Sequence, residues 1–394
     1  MNYNVDIDKL TFEKLKKVRL YLKKLIEIGG SDLHVKANSD IRVRLNGKII
    51  KFADSFFSKE DALTFAKELL RGEFSKFVEQ KEFDTTYVFD ENSRFRVNVF
   101  FQMDGVSAVF RIIPVKIPTM DELKFPQVVR DFTKIERGLV LVTGVTGSGK
   151  STTLASLIDE INKTHKKHII TIEDPIEFVH KDKNCIINQR SVGRDTLSFS
   201  NALRGALRED PDIILVGEMR DLETIKLALH AADTGHLVFS TLHTLDAKET
   251  INRIISQFPT DEQNSVRLTL ASVLEGVISQ RLVPTKTKKL TAAMEVLVKT
   301  PLIQKLIIQN KDYEIKDAIE KGNGVYRSQS FDQHLLQLFK DGIIDEKTAL
   351  DFATSANDMK LRMSGVESGS QNQKDFSDDE IRNIKDDDIF DLKG

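Results

Sequence analysis

The segment Gly144–Ser151, Gly-Val-Thr-Gly-Ser-Gly-Lys-Ser, constrains the fold of this chain more than any other feature. It has the spacing G-x-x-x-x-G-K-[ST] of a phosphate-binding loop (P-loop), whose glycines let successive backbone N–H groups turn towards phosphate oxygens. The apolar run Gly138–Thr143 before it predicts a buried strand, and Thr152–Asn162 after it predicts a helix. Because strand, loop and helix occur together, we interpret the segment as a nucleotide site and not as a chance glycine-rich turn.

Each part of the P-loop has an expected role. The Lys150 ammonium should reach the β- and γ-phosphates, and the Ser151 hydroxyl should be a ligand of Mg²⁺. The loop alone does not separate ATPases, GTPases and kinases, but the chain lacks the guanine-reading motif Asn-Lys-x-Asp, which favours ATP. The predicted nucleotide contacts are Gly144, Val145, Thr146, Gly147, Ser148, Gly149, Lys150, Ser151 and Thr152.

Two further strand-like segments end in carboxylates that a nucleotide site needs for metal and water. Ile213–Glu218 resembles a Walker B strand, although Gly217 occupies the position before the glutamate where Asp is usual. Thr171–Glu177 contains Glu173 at a second strand end. Glu218 is the predicted metal ligand, and either Glu173 or Glu218 can be the residue that activates the attacking water. The sequence leaves that division open.

Two histidines flank the apolar run of residues 237–242. His236 precedes it and His243 follows it, so they lie at opposite ends of the expected strand, which argues against a metal pair. We expect one of them to act as a polar sensor beside the γ-phosphate. The alternative is a buried structural histidine.

The rest of the chain predicts a second domain and a tail. With 394 residues, two or three domains are expected. Residues 1–113 predict a compact α+β domain with a hairpin at Asn46-Gly47 and a helix over Lys59–Leu70, and the proline-punctuated segment 114–126 predicts a linker. Residues 127–363 predict an α/β domain with a mostly parallel sheet, helical over 261–280 and again over 301–363. The acidic segment 364–394 should be disordered.

Composition excludes several classes. Lys plus Arg is 58 and Asp plus Glu is 60, a net charge of −2, which argues against a nucleic-acid partner. The single cysteine, Cys185, rules out an intramolecular disulfide and a Cys-rich zinc module, and it fits a reducing, cytoplasmic compartment. We find no signal-peptide pattern and no apolar run of membrane-spanning length.

Four elements in order resemble the secretion-type hexameric ATPases, and within them the PilT/PilU group of type IV pilus retraction motors. They are the P-loop, "TIEDPIE", "RGALREDPDIILVGEMRDLET" and "TGHLVFSTLHT", and the resemblance extends over about residues 10–363. In this group Gly-Glu stands where other P-loop enzymes carry Asp, which accounts for Gly217.

The resemblance implies a homohexameric ring whose subunits carry an N-terminal PAS-like domain and a C-terminal RecA-like domain, with ATP between them. It implies that Arg94, Arg96 and Arg111 approach the phosphates and that Arg194, Arg204 and Arg208 serve the subunit interface. It further implies that ATP hydrolysis powers pilus retraction and twitching motility. The ring would be cytoplasmic, held peripherally at the inner membrane by a pilus platform protein.

The C-terminal region departs from PilT. Residues 302–309 lack the two arginines and the glutamate of the corresponding PilT helix, and the following "QSFDQHLLQLFKDGII" is similar to PilU. This predicts an accessory motor that works beside a second, PilT-like motor, or a member that serves both roles. The alternatives are an assembly or secretion ATPase of the same superfamily, a RecA-like nucleic-acid translocase, and an inactive adaptor.

Overall fold

The computed structural model describes residues 10–91, 93–113 and 116–364. The predicted disordered tail, beyond Ser364, lies outside the described residues. No helix in the described ranges is long and apolar enough to cross a membrane.

The N-terminal part is an antiparallel sheet of six strands with helices packed against it. Its elements are α1 Glu13–Glu27, β1 Asp32–Lys36, β2 Ser39–Leu45, β3 Lys48–Phe57, α2 Lys59–Leu70, α3 Phe74–Gln80, β4 Glu82–Asp90, β5 Ser93–Gln102 and β6 Gly105–Ile113, with a 3-10 turn over Arg71–Glu73. The strand order is β3-β2-β1-β6-β5-β4. In α1, residues Leu15, Val18, Leu22 and Leu25 recur at helical spacing and are buried in this core.

The predicted hairpin at Asn46-Gly47 is confirmed. Asn46 and Gly47 have φ values of 50° and 79°, the left-handed backbone that a two-residue hairpin turn requires. Leu45 pairs with Lys48 across the turn, so this dipeptide sets the register of β2 and β3.

The C-terminal part is a seven-stranded sheet covered by helices. Its elements are α4 Gln127–Asp131, β7 Gly138–Thr143, α5 Lys150–Thr164, β8 His168–Glu173, β9 Ile186–Ser191, α6 Phe199–Ala206, β10 Ile213–Val216, α7 Leu222–Asp233, β11 Leu237–Leu242, α8 Ala247–Ser256, α9 Gln263–Val273, β12 Leu274–Pro284 and β13 Leu290–Val298, with a 3-10 turn over Phe132–Lys134. The order is β13-β12-β7-β11-β10-β8-β9, and every neighbouring pair is parallel except β12 with β13. The predicted mostly parallel sheet is therefore confirmed.

Helices complete the described chain after the sheet, as predicted for 301–363. They are α10 Pro301–Ile308, α11 Ile315–Lys321, α12 Asn323–Tyr326, α13 Phe331–Lys340, α14 Glu346–Phe352 and α15 Ala356–Met363, with a 3-10 turn over Asp312–Glu314.

The helix predicted over 261–280 is wrong in its second half, because residues 274–280 belong to β12. This strand lies between β7 and β13, and most of its side chains are buried on both faces of the sheet. A strand buried on both faces loses the apolar–polar alternation that identifies strands in sequence. Its apolar residues Leu274, Val277 and Ile278 also happen to follow helical spacing.

The described part of the predicted linker packs on the C-terminal sheet domain. Met120 is buried in the same cluster as Val129 and Phe132. The Ser156 hydroxyl of α5 donates a hydrogen bond of 2.6 Å to the Pro118 carbonyl. Pro114 and Val115 lie outside the described residues, and the domain boundaries stay a prediction.

The packing of α13 against β13 can be tested through the pH dependence of His334. It is buried on α13, and its Nδ1 accepts a hydrogen bond of 2.9 Å from the Met294 N–H of β13. Burial lowers the pKa of His334 from its ordinary 6.5 to about 4, while the charge of Asp341 acts in the opposite direction.

We expect acid to destabilise the fold through His334. The unfolded chain takes up this proton near pH 6.5 and the folded chain only near pH 4. The contribution of neutral His334 to the free energy of unfolding is therefore complete above pH 6.5. It falls by up to about 3 kcal/mol as the pH drops towards 4. His334→Gln keeps an acceptor but does not titrate, so its melting temperature should fall less than that of the wild type between pH 7.5 and 5. Parallel curves for the two proteins would contradict this assignment.

Candidate active site

The carboxyl ends of four parallel strands meet at one edge of the C-terminal sheet. The P-loop follows β7, Glu173 ends β8, Glu218 follows β10 and His243 follows β11. These elements line one cavity of about 790 Å³ together with Arg96 of the N-terminal sheet. Of the residues predicted from sequence, the cavity is lined by Arg96, Thr146, Gly147, Gly149, Lys150, Ser151, Thr152, Glu173, Glu218 and His243.

The P-loop backbone requires glycine at its two ends. Gly144 and Gly149 have φ values of 141° and 93°, which side-chain-bearing residues rarely adopt. A Cβ at Gly144 would lie 2.5 Å from both the Gln280 carbonyl oxygen and the Ser148 hydroxyl. The loop is thus a tight backbone cradle of the kind that phosphate groups occupy.

Lys150 begins α5 and is held inside this cradle. Its ammonium donates hydrogen bonds to the carbonyl oxygens of Gly144 at 2.8 Å and Val145 at 3.1 Å. Burial lowers the pKa of Lys150, and the charge of Glu218 acts against that shift. The lysine therefore places a positive charge in the lining of the cavity beside the P-loop, where phosphate oxygens would be bound.

Glu218 lies at the centre of a polar cluster. Its Oε1 is 2.7 Å from Arg220 Nε and 3.3 Å from His243 Nε2. The hydrogen bond to Glu218 raises the pKa of Arg220. The Thr241 hydroxyl of β11 donates to the Gly217 carbonyl at 2.7 Å, which ties the residue before Glu218 to the neighbouring strand.

Glu173 is held on both carboxylate oxygens. Its Oε1 accepts hydrogen bonds from the Thr171 hydroxyl at 2.7 Å and the Gln189 amide at 3.2 Å, and its Oε2 accepts one from the Glu177 N–H at 3.3 Å. Burial raises the pKa of Glu173, although these hydrogen bonds act in the opposite direction. A carboxylate oriented in this way and with a raised pKa suits a proton acceptor.

The structure separates the two histidines. His243 lines the cavity, whereas His236 lies at the opposite end of β11, outside the set of residues that line it. His236 Nδ1 is 3.0 Å from the Ala231 carbonyl oxygen of α7, so its ring is tied to the preceding helix. Because the strands are parallel, only a residue that follows β11 can reach the site edge.

The N-terminal arginines also differ. Arg96 and Arg111 are paired across β5 and β6, but only Arg96 lines the cavity. Arg96 makes a loose ion contact of 3.9 Å with Asp84. Arg111 Nε instead donates a hydrogen bond of 2.7 Å to the buried carboxylate of Asp32 on β1.

Asp32 depends on these partners. Burial acts to raise its pKa, but hydrogen bonds from the Ser31 hydroxyl and from Arg111 outweigh burial and hold the pKa below its ordinary value. Arg44 adds a longer ion contact of 3.6 Å. Arg111 is therefore a partner of a buried carboxylate in this structure.

The other arginines suggested by the resemblance lie outside the cavity. Arg94 pairs with Val88 and Ile113 in the N-terminal sheet. Arg204 forms an ion pair with Glu223. The two remaining arginines make local contacts: Arg208 Nη1 donates to the Arg204 carbonyl at 3.0 Å, and Arg194 Nε lies 3.8 Å from Asp195.

Sequence analysis does not identify Arg220, the partner of Glu218 described above, or two glutamines that support the site. Gln189 of β9 supports Glu173, but this strand was not predicted at all. Gln280 contacts the P-loop from β12, in the stretch interpreted as a helix. Neither has a sequence signal by itself, since each contact depends on which strands become neighbours.

The donor set fits a nucleotide with Mg²⁺. The Ser151 hydroxyl in the first turn of α5 and the Glu218 carboxylate both line the cavity. These are hard oxygen ligands of the type Mg²⁺ prefers, and Mg²⁺ at phosphate sites is held by only one or two protein groups. The glycine cradle and Lys150 complete a phosphate site.

Comparison with known proteins agrees with this geometry. Residues 13–332 match the model of the family described as "Type II/IV secretion system protein". The chain belongs to this family. It is 47% identical over 329 residues to the type IV pilus retraction ATPase PilT of Pseudomonas aeruginosa, a match that covers 82% of this chain and 94% of PilT. The family resemblance predicted from the motifs is thereby confirmed.

Two further members of the secretion family refine the comparison. The type IV pilus ATPase PilU of Pseudomonas aeruginosa is 38% identical over 382 residues, covering 96% of this chain and 98% of PilU. The solved structure of the pilus retraction motor PilT with bound ADP matches with a TM-score of 0.81 and 42% identity, covering 87% of this chain and 98% of that one. The predicted fold class, an N-terminal α+β domain followed by an α/β ATPase domain, is confirmed.

We expect alanine substitutions of Arg96 and Arg111 in the N-terminal sheet to have different effects. Arg96→Ala should lower ATP turnover with little change in melting temperature, because Arg96 lines the cavity and has only a loose ion contact. Arg111→Ala should destabilise the N-terminal domain by about 1–3 kcal/mol, because it removes the shortest charged hydrogen bond to a buried carboxylate. Turnover and thermal melting, measured on both variants, test this. Equal losses of stability would refute the distinction.

Proposed function

We propose that this chain is an ATP-hydrolysing subunit of a hexameric motor that retracts type IV pili in twitching motility. The observation that carries the proposal is the convergence of the P-loop, Glu173, Glu218, His243 and Arg96 on one cavity. The identity to PilT over most of both chains supports the same function.

The positions of the side chains support the following mechanism. The backbone of the P-loop and the Lys150 ammonium bind the phosphates. Ser151 and Glu218 would hold Mg²⁺, which when bound would supply positive charge to the phosphate oxygens. Glu173 orients the attacking water and takes its proton, because its two oxygens are fixed by hydrogen bonds and its pKa is raised.

His243 and Arg96 complete the site in this proposal. His243, whose ring contacts Glu218, senses the γ-phosphate from the end of β11. Arg96 reaches the phosphates from the N-terminal sheet, where a planar and permanently charged guanidinium stabilises the spreading charge. Since this arginine and the P-loop belong to different sheets, nucleotide binding joins the two parts of the chain. We propose domain limits of 1–113 and 127–363 with 114–126 as the linker.

The partners follow from the same proposal. Six copies form the ring, which acts in the cytoplasm and is held at the inner membrane by a pilus platform protein. We further propose an accessory role beside a PilT-like motor. The match to PilU over 96% of this chain and 98% of PilU favours that role.

Lys150→Ala should abolish ATP turnover and leave the fold intact, because the lysine supplies charge to phosphates and no apolar packing. The measurement is ATPase rate and melting temperature on the purified protein. Lys166→Ala is the matched control, since Lys166 is exposed in the loop after α5. Turnover by Lys150→Ala within tenfold of the wild type would refute the P-loop assignment.

The same assay separates the motor from a nucleic-acid translocase. A retraction motor should hydrolyse ATP at the same rate with and without single-stranded DNA. A severalfold stimulation by DNA would favour the translocase, and a wild-type chain without turnover would favour an inactive adaptor.

The two glutamates should also be distinguishable. Glu173→Gln should bind ATP–Mg²⁺ and slow hydrolysis by roughly 10² or more, because an amide cannot take the proton. Glu218→Gln should raise the Mg²⁺ concentration needed for half-maximal turnover. For both variants, we would measure the ATP retained on the purified ring and the hydrolysis rate as a function of Mg²⁺ concentration. If only Glu218→Gln traps ATP, the two roles are reversed.

A further inference from the structure

We infer that Gln280 is a positioning residue for phosphate binding, whose side-chain amide sets the orientation of the P-loop peptide between Ser148 and Gly149. This inference rests on the proposed nucleotide function. Gln280 lies on β12, 132 residues along the chain from Ser148, and only 1% of its surface is exposed.

Both ends of the Gln280 amide are bonded. Its Nε2 donates a hydrogen bond of 2.6 Å to the Ser148 carbonyl, and its Oε1 accepts one of 2.8 Å from the Thr153 hydroxyl on α5. The reverse orientation of the amide would bring two carbonyl oxygens into contact, because a carbonyl oxygen can only accept. The Ser148 carbonyl therefore leaves the amide one orientation, in which the Thr153 hydroxyl is the donor to Oε1.

This orientation determines where the next backbone N–H points. In a trans peptide the carbonyl and the following N–H point in opposite directions. Since the Ser148 carbonyl is directed at Gln280, the Gly149 N–H is directed away from β12. Gly149 lines the cavity and precedes the first residue of α5, where backbone N–H groups bind anions.

Steric contacts reinforce the hydrogen bonds. A Cβ at Gly149 would lie 3.0 Å from Gln280 Nε2, and a Cβ at Gly144 would lie 2.5 Å from the Gln280 carbonyl oxygen. Residue 280 thus contacts both ends of the P-loop. One residue earlier, Ser279 pairs with Thr143 of β7, and their hydroxyls are 2.9 Å apart. The loop cannot shift away from β12 without breaking these contacts.

A purely structural glutamine and a positioning glutamine make different predictions. If Gln280 only satisfies buried polar groups, its loss lowers stability and leaves the nucleotide affinity of the folded protein unchanged. If it orients the Gly149 N–H, its loss weakens phosphate binding beyond any change in stability. Nucleotide affinity is therefore the informative readout.

The test is the dissociation constant for ADP with Mg²⁺, measured with a fluorescent ADP analogue on the full chain. Gln280→Leu keeps the bulk of the side chain and removes both hydrogen bonds, and it should weaken ADP binding about tenfold. Gln304→Leu is the matched control. The Gln304 amide donates to the Ala271 carbonyl at 3.0 Å, outside the cavity, so ADP affinity should not change.

A second substitution tests whether Thr153 acts on the P-loop through Gln280. Thr153→Val removes the hydroxyl that holds the Gln280 amide oxygen, and it should weaken ADP binding about threefold. Because Thr153 acts through Gln280, the double variant should bind ADP as Gln280→Leu does. Losses that multiply in the double variant would overturn the inference.

The outcomes distinguish this inference from the proposed function. A wild-type chain that does not bind ADP would refute the nucleotide function itself. A wild type that binds, together with Gln280→Leu within twofold of it, would overturn the positioning role alone. If Gln280→Leu does not fold, Thr153→Val decides, and unchanged ADP affinity in that variant would overturn the inference.

Discussion

Parallel pairing of four central strands is the constraint on which the site depends. In a parallel sheet the carboxyl ends of neighbouring strands lie at one edge, so residues far apart in sequence meet there. The P-loop, Glu173, Glu218 and His243 each follow or end one of these strands. A strand that ran in the opposite direction would carry its polar residue to the far edge, where His236 lies.

The strand β12 extends this arrangement to the rest of the chain. Three consecutive residues of β12 have three different contacts: Gln280 bonds the P-loop, Arg281 places its guanidinium 4.0 Å from the Phe331 ring centroid of α13, and Leu282 lines the cavity. The strand is thus in contact with the loop, the cavity and the C-terminal helices. Arg96 of β5 lines the same cavity from the N-terminal sheet.

The predictable parts of the site are those with a local signal. The P-loop has a fixed spacing, and Glu173 and Glu218 stand at the ends of short apolar runs that predict buried strands. The sequence alone does not choose between His236 and His243, because they lie at the two ends of the same apolar strand. The parallel direction of the sheet favours His243, because it follows the carboxyl end of that strand. Arg96 came from the resemblance and not from the residues alone.

The parts that sequence reasoning missed depend on tertiary neighbours. Gln280 lies in a strand whose two buried faces erase the alternation of apolar and polar residues, so residues 274–280 were assigned to a helix. Gln189 lies on β9, the edge strand of the sheet, whose one neighbour in the sheet is β8. The role of Arg111 was also beyond local patterns, since its buried partner Asp32 lies on a strand 79 residues away.

The most direct test of this account is an experimental structure of the chain with ADP and Mg²⁺. We expect the phosphates to lie in the P-loop, with the Gly149 N–H and Lys150 within hydrogen-bond distance. We also expect the metal between Ser151 and Glu218, and Arg96 facing the same cavity. A nucleotide bound elsewhere, or phosphates that do not contact the loop, would contradict the central claim.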